Sequence, residues 1–228
     1  MKLRSILVAC SSALAACDPA AAEPPQPVPG EPPVRAACVE DRGDAFVDCI
    51  DTFEPSAPAS FGHDAMPAIV LGPPRADGDG GGGMDVASLG CGGRITLGFA
   101  GDAIVDHGGD DFIVFENAFA TAQGSFAEPA AVLVSDDGER WYAFECGASP
   151  GDDADGCAGV TPTEARSAAA AVDPARAGGD AFDLAALGLA RARYVRLVDR
   201  TREYYGDDSW CGGSAAGFDL DAVAVVPR

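Results

Sequence analysis

The stretch Ala131-Val132-Leu133-Val134-Ser135-Asp136-Asp137-Gly138-Glu139-Arg140-Trp141-Tyr142-Ala143-Phe144 decides the fold of this chain. Two apolar runs of strand length flank an Asp-Asp-Gly turn, and that turn chemistry folds a strand back onto its neighbour. The segment therefore predicts an antiparallel hairpin. Runs of the same kind lie on both sides of it. Arg94-Ile95-Thr96-Leu97-Gly98-Phe99 alternates with period two, and Asp111-Phe112-Ile113-Val114-Phe115-Glu116 is nearly all apolar, as a strand buried on both faces would be. Arg193 to Val198 and Phe218 to Val226 supply strands late in the chain. Ala68-Ile69-Val70-Leu71, closed by Gly72-Pro73-Pro74, reads as another short one. Helical character is confined to Thr163 to Ala171, which Val172-Asp173-Pro174 ends. Many short strands joined by Gly- and Asp-rich turns predict an all-β, jelly-roll sandwich.

Composition narrows the function. The chain carries 36 acidic against 15 basic residues, a net charge of −21. Such a surface repels nucleic acid and anionic lipid, so no nucleic acid partner is expected. It suits divalent cations or cationic partners instead. A hydrophobic content of 47% argues for a packed domain over acidic disorder. Residues 38–228 have the length of one β-sandwich domain. Ahead of them, Asp18 to Ala37 holds seven prolines and no aromatic residue. With Cys17 this segment (17–37) reads as an extended tether of roughly 3 Å per residue.

At the N-terminus, Lys2 and Arg4 precede an apolar run, Ile6 to Ala16, and then Leu14-Ala15-Ala16-Cys17. The run is shorter than the about 20 residues that span a bilayer, and small residues at its end mark a secretory cleavage site. Leu-Ala-Ala-Cys resembles the lipobox of bacterial lipoproteins. That resemblance implies that residues 1–16 are a signal peptide and that Cys17 is acylated. The expected location is the cell envelope, on the periplasmic or surface side of a bacterial membrane, with the lipid as membrane anchor. Export also implies disulfides among Cys38, Cys49, Cys91, Cys146, Cys157 and Cys211. Many pairings are open. The local choices are Cys38–Cys49 and Cys146–Cys157, which leave Cys91 to Cys211.

Two landmarks resemble discoidin-like domains: the hairpin Val134-Ser135-Asp136-Asp137-Gly138-Glu139-Arg140-Trp141 and the strand Ala192-Arg193-Tyr194-Val195-Arg196-Leu197. The likeness covers the second half of the chain and implies a galactose-binding-like sandwich. Longer stretches, such as Val70 to Pro74, Asp85 to Gly90, Asp111 to Phe119 and Gly217 to Val223, resemble a group of bacterial proteins described only as cell-surface proteins or lipoproteins. That second resemblance implies a surface location and brings no reaction.

Several constellations could carry chemistry. Asp77, Asp79 and Asp85 stand on a Gly-rich turn with the Asp-x-Asp-Gly start of a calcium loop, though without its closing glutamate. Asp219 and Asp221 lie two apart on a strand, so both carboxylates leave one face and call for a cation or an arginine (Arg191, Arg193 or Arg196) between them. The galactose-binding-like resemblance implies calcium at an acid on this last strand. Calcium is thus the expected cofactor, with these five aspartates as ligands. Asp152, Asp153 and Asp155 form a weaker acidic loop, and Asp106 with His107 and Asp111 another. Tyr204, Tyr205, Asp207, Asp208 and Trp210 share one segment, where rings could stack on sugar faces and carboxylates accept from hydroxyls. Glu116, Glu128, Glu145 and Glu164 are the glutamates from which a glycosidase pair could be drawn. Glu116 stands out because it ends the most apolar strand. No nucleophile motif of a hydrolase is present.

The expectation is a lipid-anchored envelope binding protein, not an enzyme, that recognises carbohydrate or another surface polymer. The alternatives are a structural or adhesive envelope protein without a small-molecule site, and a carboxylate-dependent glycoside hydrolase.

Overall fold

A computed structural model describes residues 25–75, 83–101, 104–121 and 124–228. In chain order the strands are β1 Cys49–Glu54, β2 Ala87–Ser88, β3 Arg94–Gly98, β4 Ile104–Val105, β5 Phe112–Glu116, β6 Phe119–Thr121, β7 Gly124–Phe126, β8 Ala130–Ser135, β9 Tyr142–Ala143, β10 Asp180–Phe182, β11 Arg191–Ala192, β12 Tyr194–Asp199 and β13 Asp219–Val225. Three short helices, α1 Ala168–Ala171, α2 Pro174–Ala177 and α3 Thr201–Tyr205, lie between them. The sheets run β1-β3-β12-β8-β9 and β10-β5-β13-β2, with small ribbons β11-β4 and β6-β7. Every strand pairing among the described residues is antiparallel. The chain is an all-β sandwich, as the strand patterns predict.

The alternation of the strands builds the core. Ile95, Leu97, Val132, Val134, Val195 and Leu197 of the larger sheet face Phe112, Val114, Leu220 and Val223 of the smaller one, all fully buried. The smaller sheet is apolar on both faces because α1 and α2 cover its back. Phe46, Ile113, Phe115, Ala222 and Ala224 pack there against Ala170, Ala171 and Ala177. A register shift in β13 between Leu220 and Ala222 makes this possible. It sends Leu220 and Val223 inward and Ala222 and Ala224 backward, which strict alternation would forbid.

The expected hairpin forms, with Val134 opposite Tyr142. The disulfides among the described residues are Cys38–Cys49, Cys91–Cys211 and Cys146–Cys157, the pairing reached from the local choices. Three expectations change. Ala68–Val70 is a turn of 3-10 helix, not a strand, and only its Val70 is buried. The helical stretch of 163–171 shrinks to α1, which Ser167 caps, and α2 follows at once with Asp173 as its cap and Pro174 at its first position. The 201–210 segment opens with a helix, α3, instead of being loop throughout.

The tether is also corrected. Cys17 and residues 18–24 lie outside the described residues, but 25–37 do not extend as a spacer. They strap the outer face of the larger sheet. Val28 N–H donates to the Trp141 carbonyl and Val34 N–H to that of Gly138, each at 2.7 Å. Both valines pack beside Trp141, Leu133 and Tyr194. The Arg196 guanidinium donates to Glu31 at 2.8 Å and to the Pro32 carbonyl at 2.9 Å. Proline makes the strap stiff and leaves few amides of its own to satisfy, so docking costs little conformational entropy.

Candidate functional site

Three acids from separate elements converge at one end of the sandwich. Glu116 ends β5, Asp219 begins β13 and Glu128 precedes β8. Each offers a carboxylate oxygen within 4.8 Å of the others, and each residue is 4–5% exposed. Their backbones are fixed from several directions. Glu116 pairs with Leu220 across the sheet, and the Thr163 hydroxyl donates to its carbonyl at 3.1 Å. Gly217 N–H donates to Glu128 Oε1 at 2.9 Å. The Ser88 hydroxyl and the Asn117 amide donate to the Asp219 carboxylate, and Asp219 N–H donates to Glu116.

Burial raises all three carboxyls, and neighbouring charges add to it. Glu116 is held well above the usual range by burial, then by the charges of Asp219 and Glu128. Burial and the charge of Asp219 push Glu128 to about 8. Burial takes Asp219 to about 6. Without a positive partner, Glu128 keeps its proton near neutrality while Asp219 has released its own. At this site Glu116 Oε2 and Asn117 Oδ1 have no hydrogen-bond partner among the described residues.

These groups floor a cleft of about 380 Å³ that opens between Phe119, Phe126 and Trp210. The rings form one aromatic wall. Phe119 stacks on Phe126 at 4.9 Å, Trp210 meets the edge of Phe126 at 4.9 Å, and Tyr205 tilts against Trp210 at 5.5 Å. Trp210 remains 46% exposed. Its neighbour Cys211 is tied to Cys91, which fixes the loop over the cleft.

The sequence-expected residues scatter around this centre. Trp210 lines the cleft, and Tyr205 backs it while its hydroxyl donates to the Ala127 carbonyl at 2.9 Å. Tyr204 packs on Tyr205. Asp207 and Asp208 do not face a shared ligand, because Asp207 caps Ser209 and Asp208 pairs with Arg202. Of the aspartates, Asp77 and Asp79 lie outside the described residues. Asp85 is exposed and sits 3.6 Å from Arg75. Asp219 and Asp221 meet different partners, Asp219 opposite Ser88 and Asp221 at the β13 register shift itself. Asp221 accepts the Arg75 N–H on both oxygens, and burial together with the Asp85 charge raises it to about 7. A single cation between Asp219 and Asp221 is therefore not how the chain arranges them. Nor does an arginine side chain bridge them: Arg191 and Arg193 pair with Asp136, and Arg196 with Glu31.

Of the four glutamates, Glu116 and Glu128 meet, whereas Glu145 and Glu164 are exposed elsewhere. Asn117 stands beside Glu116 at the end of the apolar strand, where the sequence marks the pair without giving the amide a role of its own. Other acidic groups are occupied by the backbone. Asp111 accepts from His107 and Leu184 N–H, and Asp183 caps the turn that follows it. A second depression, about 270 Å³, beside Phe99 and Val225 has its Asp48 bonded to Arg42 and Ala100 N–H. Asp152, Asp153 and Asp155 stand exposed in a third.

No helix among the described residues is long and apolar enough to cross a membrane. No protein-family model matches the chain, and no curated protein matches it.

Proposed function

We propose that this chain is an envelope lipoprotein, acylated at Cys17, whose cleft binds a carbohydrate or another hydroxyl-rich surface polymer. The observation that carries the reading is the pairing, in one cleft, of an exposed aromatic wall with a floor of buried hydrogen-bond acceptors. Rings offer apolar faces to sugar rings, while carboxylates and an amide oxygen accept from hydroxyls. The topology supports presentation away from the anchor. The chain enters beside Gly188 and Gly138, at the end where β12 starts, and the cleft lies at the end where β12 stops. A lipid on Cys17 would hold the former end to the membrane.

A glycan array probed with the full chain in calcium buffer tests the reading. Binding that falls at least tenfold in Trp210→Ala and Phe126→Ala supports it, and a blank array overturns it. Palmitate labelling lost in Cys17→Ser, with release of the protein from the membrane fraction, tests the anchor separately.

The meeting of Glu116 with Glu128 favours one second reading, glycoside hydrolysis. Two carboxyls of a retaining glycosidase stand about 5–5.5 Å apart and those of an inverting one about 6.5–9.5 Å. The oxygens here are closer than either, which leaves little room for a sugar carbon between them. Release of reducing ends from bacterial polysaccharides, abolished by Glu128→Gln, would favour the enzyme over the binder.

A further inference from the structure

We propose that Glu116, Glu128, Asp219 and the Asn117 side-chain oxygen bind one calcium-class divalent cation at the floor of the cleft. Three observations converge on it. First, the carboxylate oxygens of the three acids lie within 4.8 Å of one another, the width of a coordination sphere with about 2.4 Å bonds. Second, Glu116 lines the cleft and is only 4% exposed, yet its Oε2 has no hydrogen-bond partner among the described residues. A buried carboxylate oxygen without a donor is costly unless a cation supplies the missing contact. Third, Asn117 lines the same cleft and its Oδ1 is equally unpartnered among the described residues, which offers a fourth oxygen.

The donor chemistry sets the class of ion. All four groups are hard oxygens, with no imidazole or thiolate among them, which selects calcium, magnesium or manganese over zinc or copper. Calcium tolerates carboxylates from separate loops and strand ends at irregular angles, whereas magnesium demands a near-ideal octahedron. The open side of the site faces the cleft, so the remaining positions belong to water or to hydroxyls of a bound polymer. The cation site does not depend on which polymer binds, and of the five aspartates expected to hold calcium it keeps Asp219.

Terbium luminescence on the full chain tests the site without any polymer, since Trp210 lines the same cleft and can transfer energy to a bound lanthanide. The expected result is saturable emission at one ion per chain, displaced by calcium, with affinity lowered at least tenfold in Glu116→Gln and in Asn117→Ala. Emission that persists unchanged in both variants overturns the assignment. Calorimetry of the unmutated protein guards against variants that fail to fold: no saturable calcium binding up to millimolar ion overturns it as well. Calcium binding alongside a blank glycan array would leave this site standing and remove the polymer reading.

Discussion

The Arg196 guanidinium lies 3.8 Å above the Trp141 ring, and both side chains are essentially excluded from solvent. The charge sits on the outer face of the larger sheet, roofed by the proline-rich strap. Arg196 donates to Thr96 from its own sheet and to Glu31 and Pro32 from the strap, so each of its three nitrogens has a partner. A planar, always-charged group with five donors suits this position, and lysine would not replace it.

Removing Glu31 should therefore free the strap and strand a buried charge. Glu31→Ala is expected to destabilise the domain by about 2–3 kcal/mol, below the full cost for a wholly buried pair because Glu31 keeps some exposure. Urea unfolding measures the loss, and faster cleavage within residues 25–37 under limited proteolysis accompanies it. Unchanged protease resistance would mean that the strap is held by Val28 and Val34 alone.

The raised carboxyls predict an unusual pH profile. A carboxyl with a raised folded value binds its proton in the native state while the unfolded chain has already lost it, so stability declines as pH rises. For Glu128 that window runs from about 4.5 to about 8, and Asp219 and Asp221 act over its lower part. In EDTA the melting temperature should fall steadily from pH 5 to pH 8, by about 5 °C or more. Millimolar calcium should flatten the slope, because the ion replaces the protons. A flat profile in EDTA would contradict the burial of these acids.

Gly217 is required where β13 enters the cleft. Its φ is +71°, and an added Cβ would lie 2.6 Å from the Gly90 carbonyl carbon and 2.8 Å from Asp199 Oδ2. Neither can retreat, since Asp199 is buried and accepts from Gly92, Thr201 and Phe218. Gly217→Ala should cost about 2–4 kcal/mol. Because the Gly217 N–H also holds Glu128, cation affinity should drop with it, which isothermal titration reads directly.

The disulfides should rank by loop length. Cys91–Cys211 closes a separation of 120 residues, against 11 for each of the other two. In the chain-entropy account, losing the long closure costs about 4–5 kcal/mol and a short one about 3 kcal/mol. Paired Cys→Ser variants unfolded in guanidinium give the order. The Cys91/Cys211 pair should also loosen Trp210, seen as a red-shifted emission.

Much of this was readable in the residues. The hairpin needed only apolar alternation and an Asp-Asp-Gly turn, and β3, β5, β12 and β13 needed only strand-length apolar runs. Ala68–Val70 escaped because a four-residue apolar run has no period to read, and which way it folds depends on what it packs against. The site was legible in fragments. Glu116 stood out as a charge ending an apolar strand, and Asp219 as an acid on the last strand. Glu128 had nothing local to set it apart from Glu145 and Glu164, and Asn117 was marked only as the neighbour of Glu116. Distances between residues 116, 128 and 219 are properties of strand order, which no spacing along the chain encodes.

The sequence by itself determined the all-β class, the acidic character, the cysteine pairing once local closures were taken, and the aromatic segment near Trp210. Those rest on local rules: side-chain alternation, turn chemistry, charge count and loop closure. Only the tertiary structure decided that the proline-rich segment docks on Arg196, that Asp219 and Asp221 serve different neighbours, and that three acids share one buried pocket. Each of these follows from burial. Removing charge from water makes an unpartnered carboxylate or guanidinium costly, and the fold alone sets which partners are within reach.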